Sequence, residues 1–448
     1  MKRSAAAIAA ILLLAGCATY RPLPLESDLS TLTPSVASVL SRDASALSRP
    51  YLTPATIDLA RPLDPNGIAT MTVLSNPDLR AQRLLLGVAN AQAFAAGLLP
   101  DPVFSFGVAK VLSGPDTMLD IASALGFDLN ALRTRKVDLA RARAAIRQVR
   151  LDLAWAEWQA AGQARLQAVR IAGFRRAADL AGQSSAIARS LLDRTLAAAG
   201  RGDLSADRVQ AAQIAAFQAQ TLLRTTERDL IAARSELSRL IGLPPDLPIQ
   251  LAALDPDERR LPTAAQLFTI AQSERTDLRA LEAGYQSQEA AVHRAVLDQF
   301  PTLLLAVNGT RDTAGNLIVG PAVDFTLPLW NRNRGGIAFE RATRAALKAE
   351  YEGRLFQTRA QIAAAVQNVE LARRQLDSVR SSLPDLVRFA EATRRAADRG
   401  DLALATAQVA EQAVLEQRIL LVQSEELIAE QLVALELLTG TLREGWTR

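Results

Sequence analysis

The sequence has few of the residues that disulfides, soft-metal sites and aromatic ligand sites require. Its 448 residues include one cysteine and one histidine, and aromatic residues make up 4%. A single cysteine excludes an intrachain disulfide, and with this histidine and cysteine content no soft-metal site is expected. After the first 16 residues there is no apolar run of about 20, the length of a transmembrane helix. If the mature chain crosses a membrane, it must therefore do so as strands.

The charged residues favour neither nucleic-acid binding nor catalysis. Lysine and arginine total 51 and aspartate and glutamate total 47, spread along the chain without a concentrated basic face. Nucleic-acid binding would need such a face. The sequence also contains no phosphate loop, zinc motif or placed nucleophile–base pair. We therefore expect no nucleic-acid partner, no metal, no cofactor and no enzymatic activity.

The N-terminus has the pattern of a bacterial lipoprotein signal. Lys2 and Arg3 precede a short apolar segment, and Leu-Ala-Gly at 14–16 leads directly to Cys17. The segment is too short to span a bilayer. We expect removal of residues 1–16 and lipidation of Cys17 with acyl chains such as palmitate, each buried CH₂ contributing about 0.8 kcal/mol to anchoring. An ordinary secretory signal with a chance cysteine is the alternative.

Most of the remaining sequence consists of two similar copies of one unit. Asp-Leu-Arg-Ala at 78–81 returns at 277–280, and Arg-Gly-Asp-Leu at 201–204 returns at 399–402. A row of leucines recurs at the same interval: Leu223, Leu230, Leu237 and Leu240 correspond to Leu421, Ile428, Leu435 and Leu438. The interval far exceeds the roughly 20–50 residues of a solenoid repeat. It indicates a duplicated half-domain.

We divide the chain accordingly. The segments are 1–16, a signal peptide; 17–66, a proline-rich extended tether; 67–242, repeat 1; 243–275, a linker with a short helix; 276–440, repeat 2; and 441–448, a tail.

Each repeat contains two runs with the length of membrane-spanning strands. They lie at about 103–111 and 119–129 in repeat 1, and at 302–310 and 317–327 in repeat 2. Tilted spanning strands need about 9–11 residues. In repeat 2 Leu303, Leu305 and Val307 share one face, which a soluble hairpin packed on helices would explain equally well. Four strands cannot close a barrel, so a membrane role would require about three chains and twelve strands.

Long helices follow each strand pair. We predict helices over about 133–199 and 203–240 in repeat 1, and over 335–399 and 402–438 in repeat 2. The leucine rows, spaced by seven, are typical of a coiled-coil seam. Pro384 is expected to bend the third of these helices, where repeat 1 has Ala186.

The Arg-Gly-Asp-Leu segments are predicted to reverse the chain between long helices. Gly202 and Gly400 suit the left-handed position after a helix, and Asp203 and Asp401 suit the N-cap of the next one. Rings of these carboxylates narrowing an oligomer's tip are the functional alternative to capping. Arg201 and Arg399 suit helix C-termini and have bonding across hairpins as a second possible role. Asn331 or Asn333 is expected to cap the third long helix.

The order of these parts resembles the TolC-like outer-membrane factor family. The phrase Phe-Thr-Leu-Pro-Leu-Trp-Asn-Arg-Asn-Arg-Gly-Gly-Ile at 325–337 is similar to that family's passage from strand to helix, and 76–81 and 98–102 also resemble family phrases. The resemblance implies a mainly α fold with a small membrane β part. Each duplicated unit has a β-hairpin and a very long antiparallel helical hairpin. Three chains form a 12-strand β-barrel continued by an α-helical barrel.

The resemblance implies a function as well. The chain would be the passive outer-membrane exit duct of a tripartite efflux system, a lipid-anchored homotrimer with a long periplasmic extension. Its partners would be a periplasmic adaptor, an inner-membrane pump and outer-membrane lipid. Residues 333–336 resemble members that serve proton-driven pumps of the RND type. A periplasmic scaffold or adaptor that does not span the membrane is the alternative.

Two groups of residues are the expected functional sites. The periplasmic tip, for adaptor docking and gating, comprises Arg201, Gly202, Asp203, Leu204, Arg399, Gly400, Asp401 and Leu402. The membrane-interface basic cluster comprises Arg133, Arg135, Lys136, Arg332 and Arg334, with salt bridges between subunits as its alternative role. Trp155, Trp158 and His293 are expected at packing or surface positions.

Overall fold

The fold consists of four antiparallel strands and a long array of helices. The computed structural model describes residues 20–25, 43–52, 57, 61–110, 112–113, 119–244, 249–252 and 260–446. The first half contains α1 (Pro65–Ser75), α2 (Pro77–Gly97), β1 (Val103–Lys110), β2 (Leu119–Asp128), α3 (Asn130–Gly200) and α4 (Ala206–Ile241). The second half contains α5 (Ala264–Glu274), α6 (Thr276–Leu297), β3 (Leu303–Arg311), β4 (Leu317–Phe325), α7 (Arg334–Asp398) and α8 (Leu404–Thr439), followed by a 3-10 turn, Arg443–Gly445.

The elements of the two halves follow one order. Each half has a short helix of 11 residues, a helix of 21 or 22 residues, a β-hairpin, a helix of 71 or 65 residues and a returning helix of 36 residues. At 1.5 Å per residue α3 is roughly 100 Å long. No helix in the described part of the chain is both long and apolar enough to cross a membrane.

The four strands form one sheet in the order β1-β2-β3-β4, and every neighbouring pair is antiparallel. The central pairing, β2 with β3, joins the two halves of the chain, with Leu125 opposite Val307. β1 and β4 are therefore the edge strands.

The helices lie side by side in two tiers. In the tier away from the sheet, neighbouring helices follow the order α4-α3-α8-α7. In the tier next to the sheet the order is α2-α3-α6-α7. α3 runs through both tiers, and so does α7. The side-chain amide of Asn76 donates to the carbonyl of Leu240 at 2.7 Å, which fixes the start of α2 at the end of α4.

The core is concentrated in a belt where the tiers meet. α1 packs on α3 and α4 in one cluster that includes Ile68, Met71 and Leu237. α5 packs on α7 and α8 in a second cluster that includes Leu267, Ile362 and Leu435. The N-cap Thr263 and Gln266 form a reciprocal capping box at the start of α5. The two short helices thus act as braces, one for each half.

Candidate functional site

The sheet has one face that is mainly apolar. The strand register places Phe104 opposite Leu125, Leu125 opposite Val307, and Val307 opposite Pro321. Because side chains alternate along each strand, residues two apart share this face. Its larger apolar members, strand by strand, are Phe104, Phe106, Val108, Leu119, Ile121, Leu125, Phe127, Leu303, Leu305, Val307, Leu317, Val319, Pro321, Val323 and Phe325, and most are exposed. Ser123 lies among them, and Lys110 and Arg311 lie on this face at the end of the sheet away from the helices.

The opposite face of the sheet carries mainly small and polar side chains, with Val103, Leu304 and Ile318 as its larger apolar members. It includes Ser105, Gly107 and Ala109 on β1, with Asn308 and Asp324 on β3 and β4. A sheet with one mainly apolar face and one mainly small and polar face has the division typical of strands that lie between lipid and water. The same division seen in repeat 2 from the sequence alone extends over all four strands.

The molecule has two open edges that run its whole length. One edge is formed by β1, α2 and α4, and the other by β4 and α7. Large apolar side chains stand exposed along both helical edges: Leu84, Leu85, Val88, Phe94, Ile214, Phe217 and Ile231 on the first, and Phe339, Phe356, Leu371 and Phe389 on the second. Exposed apolar surface of this extent marks an interaction surface.

The apolar residues of the two edges lie at matching heights. Ile231 on α4 and Leu371 on α7 are each about 29 residues from the glycine of the nearer helical turn, or about 44 Å along the helix. Phe217 and Phe389 are closer to the turns, at about 15 and 11 residues. A second copy placed beside the first would therefore bring apolar side chains together at several levels.

The two turns at the far end of the helices have one backbone geometry. Gly202 and Gly400 have φ values of 83° and 82°, which confirms their predicted left-handed conformation. The amide of Asp203 donates to Ala198 O at 3.0 Å, and that of Asp401 donates to Ala396 O at 2.9 Å. These bonds close a Schellman motif at the end of each long helix.

The predicted N-cap role of Asp203 and Asp401 is wrong. The next helices begin at Ala206 and Leu404 with Ser205 and Ala403 as N-caps, and neither makes a side-chain capping bond. The Schellman turn needs two more residues before the helix restarts, so each aspartate is too early to reach the free amides.

Each tip aspartate instead binds the arginine two residues before it. Arg201 Nε donates to Asp203 Oδ2 at 3.0 Å, and Arg399 Nε donates to Asp401 Oδ2 at 2.9 Å. Both pairs are exposed, so they stabilise the fold little. Leu204 and Leu402 are 37% and 41% exposed beside them. Each tip thus presents an ion pair and an apolar side chain to solvent.

The five predicted interface cations all lie where strands and helices meet. Arg133 Nη1 donates to Pro301 O at 3.2 Å, and Arg135 Nη2 donates to Gly97 O at 2.9 Å. Lys136 is exposed in the second turn of α3. Arg332, with φ 46°, donates from Nε to Pro328 O, and Arg334 is the first residue of α7. The structure thus gathers these cations at the foot of the sheet.

Asn333 occupies the N-cap position of α7, as predicted, but does not cap it by a side-chain bond. Its φ is 50°, and its side-chain amide Nδ2 donates to Ala295 O of α6 at 2.8 Å. The residue therefore joins two helices at the sheet. The alternative candidate, Asn331, accepts the amide of Arg334 through its backbone carbonyl.

The remaining candidates lie at packing or surface positions, as predicted. Trp158 is 3% exposed, stacks edge-on against Tyr51 with ring centres 5.0 Å apart, and donates to Leu437 O. Trp155 lies under the guanidinium of Arg275, and His293 is exposed. Within the described residues no group of acidic, histidine or cysteine side chains could hold a metal ion. Cys17 lies outside those residues.

Buried ion pairs in the helical belt were not anticipated from the sequence. Glu157 is 1% exposed and accepts from Arg49 at 2.6 Å and from Arg83 at 2.7 Å. These arginines hold its pKa below the ordinary value against the effect of burial. Arg165 and Glu436 form a second pair at 2.9 Å between α3 and α8. The pairs join the N-terminal segment and α2 to α3, and α3 to α8.

Glu426 is the most perturbed carboxyl group of the belt. It lies on α8 over Gly173 of α3, near Glu430 and Arg170. Burial, with repulsion from Glu430, raises the pKa of Glu426 to about 8. Gly173 permits this contact, since a Cβ there would lie 2.3 Å from the carboxylate.

Comparisons with known proteins agree with this architecture. The family model described as "Outer membrane efflux protein" matches residues 267–441. Among solved structures, the outer-membrane channel OprN superposes with a TM-score of 0.71 at 17% identity, over 91% of this chain and 96% of that one. The CmeC outer membrane channel of Campylobacter jejuni gives 0.69 at 14% identity, over 95% of each. The VceC outer membrane protein of Vibrio cholerae gives 0.68 at 15%, over 84% and 96%. No curated protein sequence matches the chain significantly.

Proposed function

We propose that this chain is the exit duct of a tripartite efflux system. Residues 267–441 match the family model of an outer membrane efflux protein, and the fold of the TolC-like outer-membrane channels extends over most of the chain. The family and fold are those of channels. As a duct the chain would conduct substrates passively from a pump and adaptor to the cell exterior, since the work of export is done by the pump.

The observation that carries this proposal is the pair of open edges. A sheet edge has unpaired backbone groups, which cannot face lipid, so a four-strand sheet can span a membrane only by closing with other copies. The two edges of this chain differ, so copies join head to tail, and a ring closes if the rotation closes. Three copies would give twelve strands, a common size for such barrels. The apolar face of the sheet would then face lipid and the polar face would line the duct.

The helical array continues the same ring. α4 and α2 of one copy would pack on α7 of the next through the apolar residues at matching heights. The tube would end at the tip residues 201–204 and 399–402, which we propose as the adaptor-docking and gating site. Exposed leucines there suit a helical partner, and the Arg–Asp pairs are available for exchange with charges of that partner. We also propose a proton-driven pump as the inner-membrane partner and Cys17 as the lipid anchor.

A cross-linking experiment tests the ring directly. In a Cys17→Ser background, the double variant Ile231→Cys/Leu371→Cys should form disulfide-linked trimers in cells, because the two positions have equal heights on opposite edges. Each single variant is a control, and Ile231→Cys/Phe339→Cys is a mismatched control, because Phe339 lies about 48 Å further from the tip along α7 than Leu371 does.

Conductance separates a duct from a scaffold. Purified trimers in a planar bilayer should give discrete conductance steps that grow when the tip pairs are removed by Arg399→Ala and Asp401→Ala together. Trimers that stay silent in both forms would support the alternative, a periplasmic scaffold. Monomers that show no edge-specific cross-link would refute the ring.

A further inference from the structure

A recess of about 450 Å³ lies at the foot of the apolar face of the sheet. Leu129, Pro301, Leu303 and Phe325 form its apolar walls, and Asn130 and Arg133 supply its polar side. The amide of Leu129 donates to Leu303 O at 3.0 Å, so the wall between β2 and β3 continues the strand ladder. The recess therefore combines an apolar surface shared with the sheet and a polar end at the first turn of α3.

Arg133 brings a positive charge to this recess without a carboxylate partner among the described residues. Its contacts are the carbonyl of Pro301, the side-chain oxygen of Asn130 and the ring of Phe300, 6.0 Å from the guanidinium carbon. These are neutral groups that use two of its five N–H donors. By contrast, Arg294 of α6 is paired with Asp138 and Asp298. Two acidic residues lie five positions from Arg133 along the chain. Asp138 is the partner of Arg294, and Asp128 accepts the amide of Asn130 and lies on the opposite face of the sheet.

We propose that this recess binds an anionic phospholipid, with the phosphate held by Arg133 and an acyl chain lying against Leu303 and Phe325. A guanidinium recognises a phosphate through charge-assisted hydrogen bonds, and the apolar walls match a hydrocarbon chain. A cation beside apolar walls favours a phospholipid over free phosphate, because free phosphate would leave the apolar walls of the recess exposed to water. The inference rests on the proposed function, because it requires the apolar face of the sheet to face a membrane.

The position of the recess also suits a lipid of the periplasmic leaflet. The strands enter the helical body at this level, and the other cations of the strand–helix junctions, Arg135, Arg332 and Arg334, lie there as well. The guanidinium of Arg135 donates to Gly97 O at the end of α2, and that of Arg332 donates to Pro328 O. Arg133 is the cation that lines the recess.

Native mass spectrometry of the purified trimer tests the site. The trimer is equilibrated with equal amounts of phosphatidylglycerol, which is anionic, and phosphatidylcholine, which is zwitterionic. We expect one tightly retained phosphatidylglycerol per chain, favoured over phosphatidylcholine by about tenfold. Arg133→Gln keeps an amide donor for Pro301 O but removes the charge, so it should abolish the preference. Arg143→Gln removes an exposed charge about 15 Å further along α3 and should leave the preference unchanged.

Two results would overturn the lipid site. One is an unchanged preference in Arg133→Gln; the other is full displacement of phosphatidylglycerol by an excess of inorganic phosphate, which would show a free-phosphate site. Conductance is recorded on the same samples. A conducting trimer without the preference refutes only this inference. A sample without trimers, or trimers that stay silent both as wild type and as Arg399→Ala/Asp401→Ala, refutes the proposed function.

Discussion

Gly162 and Gly173 mark two places where a side chain of α8 crosses the backbone of α3. Leu437 lies over the first glycine and Glu426 over the second, and a Cβ at Gly162 would be 2.1 Å from Leu437 Cδ2. Both glycines are in a helix interior, where glycine is disfavoured by about 1 kcal/mol relative to alanine. Close approach of the two helices is therefore the reason for these glycines, and it can be tested one residue at a time.

Gly162→Ala should destabilise the protein even though alanine is the better helix former. Overpacking in a filled core costs about 1–3 kcal/mol, which offsets the gain in helix propensity. Gly182→Ala is the matched control, because it lies on the same helix with nothing within 4 Å of its added Cβ. Thermal unfolding followed by circular dichroism should show a lower Tm for the first variant and an equal or higher Tm for the second. Equal shifts would contradict the close-packing account.

The Glu426 carboxyl group should make stability depend on pH. Its pKa is raised to about 8 in the folded chain from an ordinary value of 4.5, so the folded state holds a proton that the unfolded state releases between these values. The stabilisation is fully present below about pH 4.5 and is lost as the pH rises through 8.

Glu426→Gln should therefore flatten this part of the pH profile and raise the free energy of unfolding at pH 8, by roughly 1–2 kcal/mol after allowance for solvent screening. Thermal unfolding at pH 5 and pH 8 measures both effects. Glu350→Gln, an exposed carboxylate of α7, is the control. A wild-type profile no steeper than that of Glu426→Gln would refute the assignment.

At this scale the sequence predicts positions that depend on near neighbours and misses those that depend on distant ones. Gly202 and Gly400 follow from a local turn pattern. Glu157 meets partners 74 and 108 positions away, and Arg165 meets Glu436 271 positions away, so no local pattern marks any of them as buried. Only the packing of the long helices brings these charges together.

At the scale of secondary structure, most element ends lie within a few residues of the places that the sequence indicates. Strand lengths follow from the apolar runs, and helix lengths from the leucine rows and the glycines that end them. The tip aspartates show where this reasoning fails. Asp203 is a suitable N-cap by residue type, but the Schellman turn before it displaces the helix start to Ala206. Backbone geometry, which residue type alone does not reveal, decided the outcome.

Pro384 is an element-scale test of the third long helix. It lies inside α7, where proline removes one backbone hydrogen bond and costs about 3 kcal/mol relative to alanine at an unadapted site. Pro384→Ala should raise the free energy of unfolding by about 1–3 kcal/mol. Ala186→Pro, at the corresponding position of α3, should lower it by at least as much. Chemical denaturation of both variants measures the pair, and a loss of stability in Pro384→Ala would show that α7 requires its proline.

At the scale of the molecule, the open edges should matter for assembly and not for folding of one chain. Leu371 is 58% exposed on α7, so Leu371→Asp should leave the helical circular dichroism signal unchanged while abolishing trimers on unboiled gels. Leu427→Asp is the control, because α8 lies between α3 and α7 and away from both edges. Trimers that persist in Leu371→Asp would place the contact elsewhere.

The arrangement of the whole molecule was only partly predictable. Two hairpins, two helical hairpins and the duplication can be read from the sequence. The pairing of β2 with β3 depends on how the halves dock, and it determines that β1 and β4 become the edges. The repeat pattern does not indicate which strands of the two hairpins pair, because either strand of each hairpin could pair with the other hairpin.

The unlike edges have a genetic consequence. In the proposed ring of three copies every chain would supply one half of two separate seams, so a chain with one damaged edge would spoil any ring that it enters. A cell producing equal amounts of intact and edge-damaged chain would assemble about one wholly intact ring in eight. Edge mutations should therefore be dominant, and a helical-belt mutation that prevents folding before assembly should be recessive.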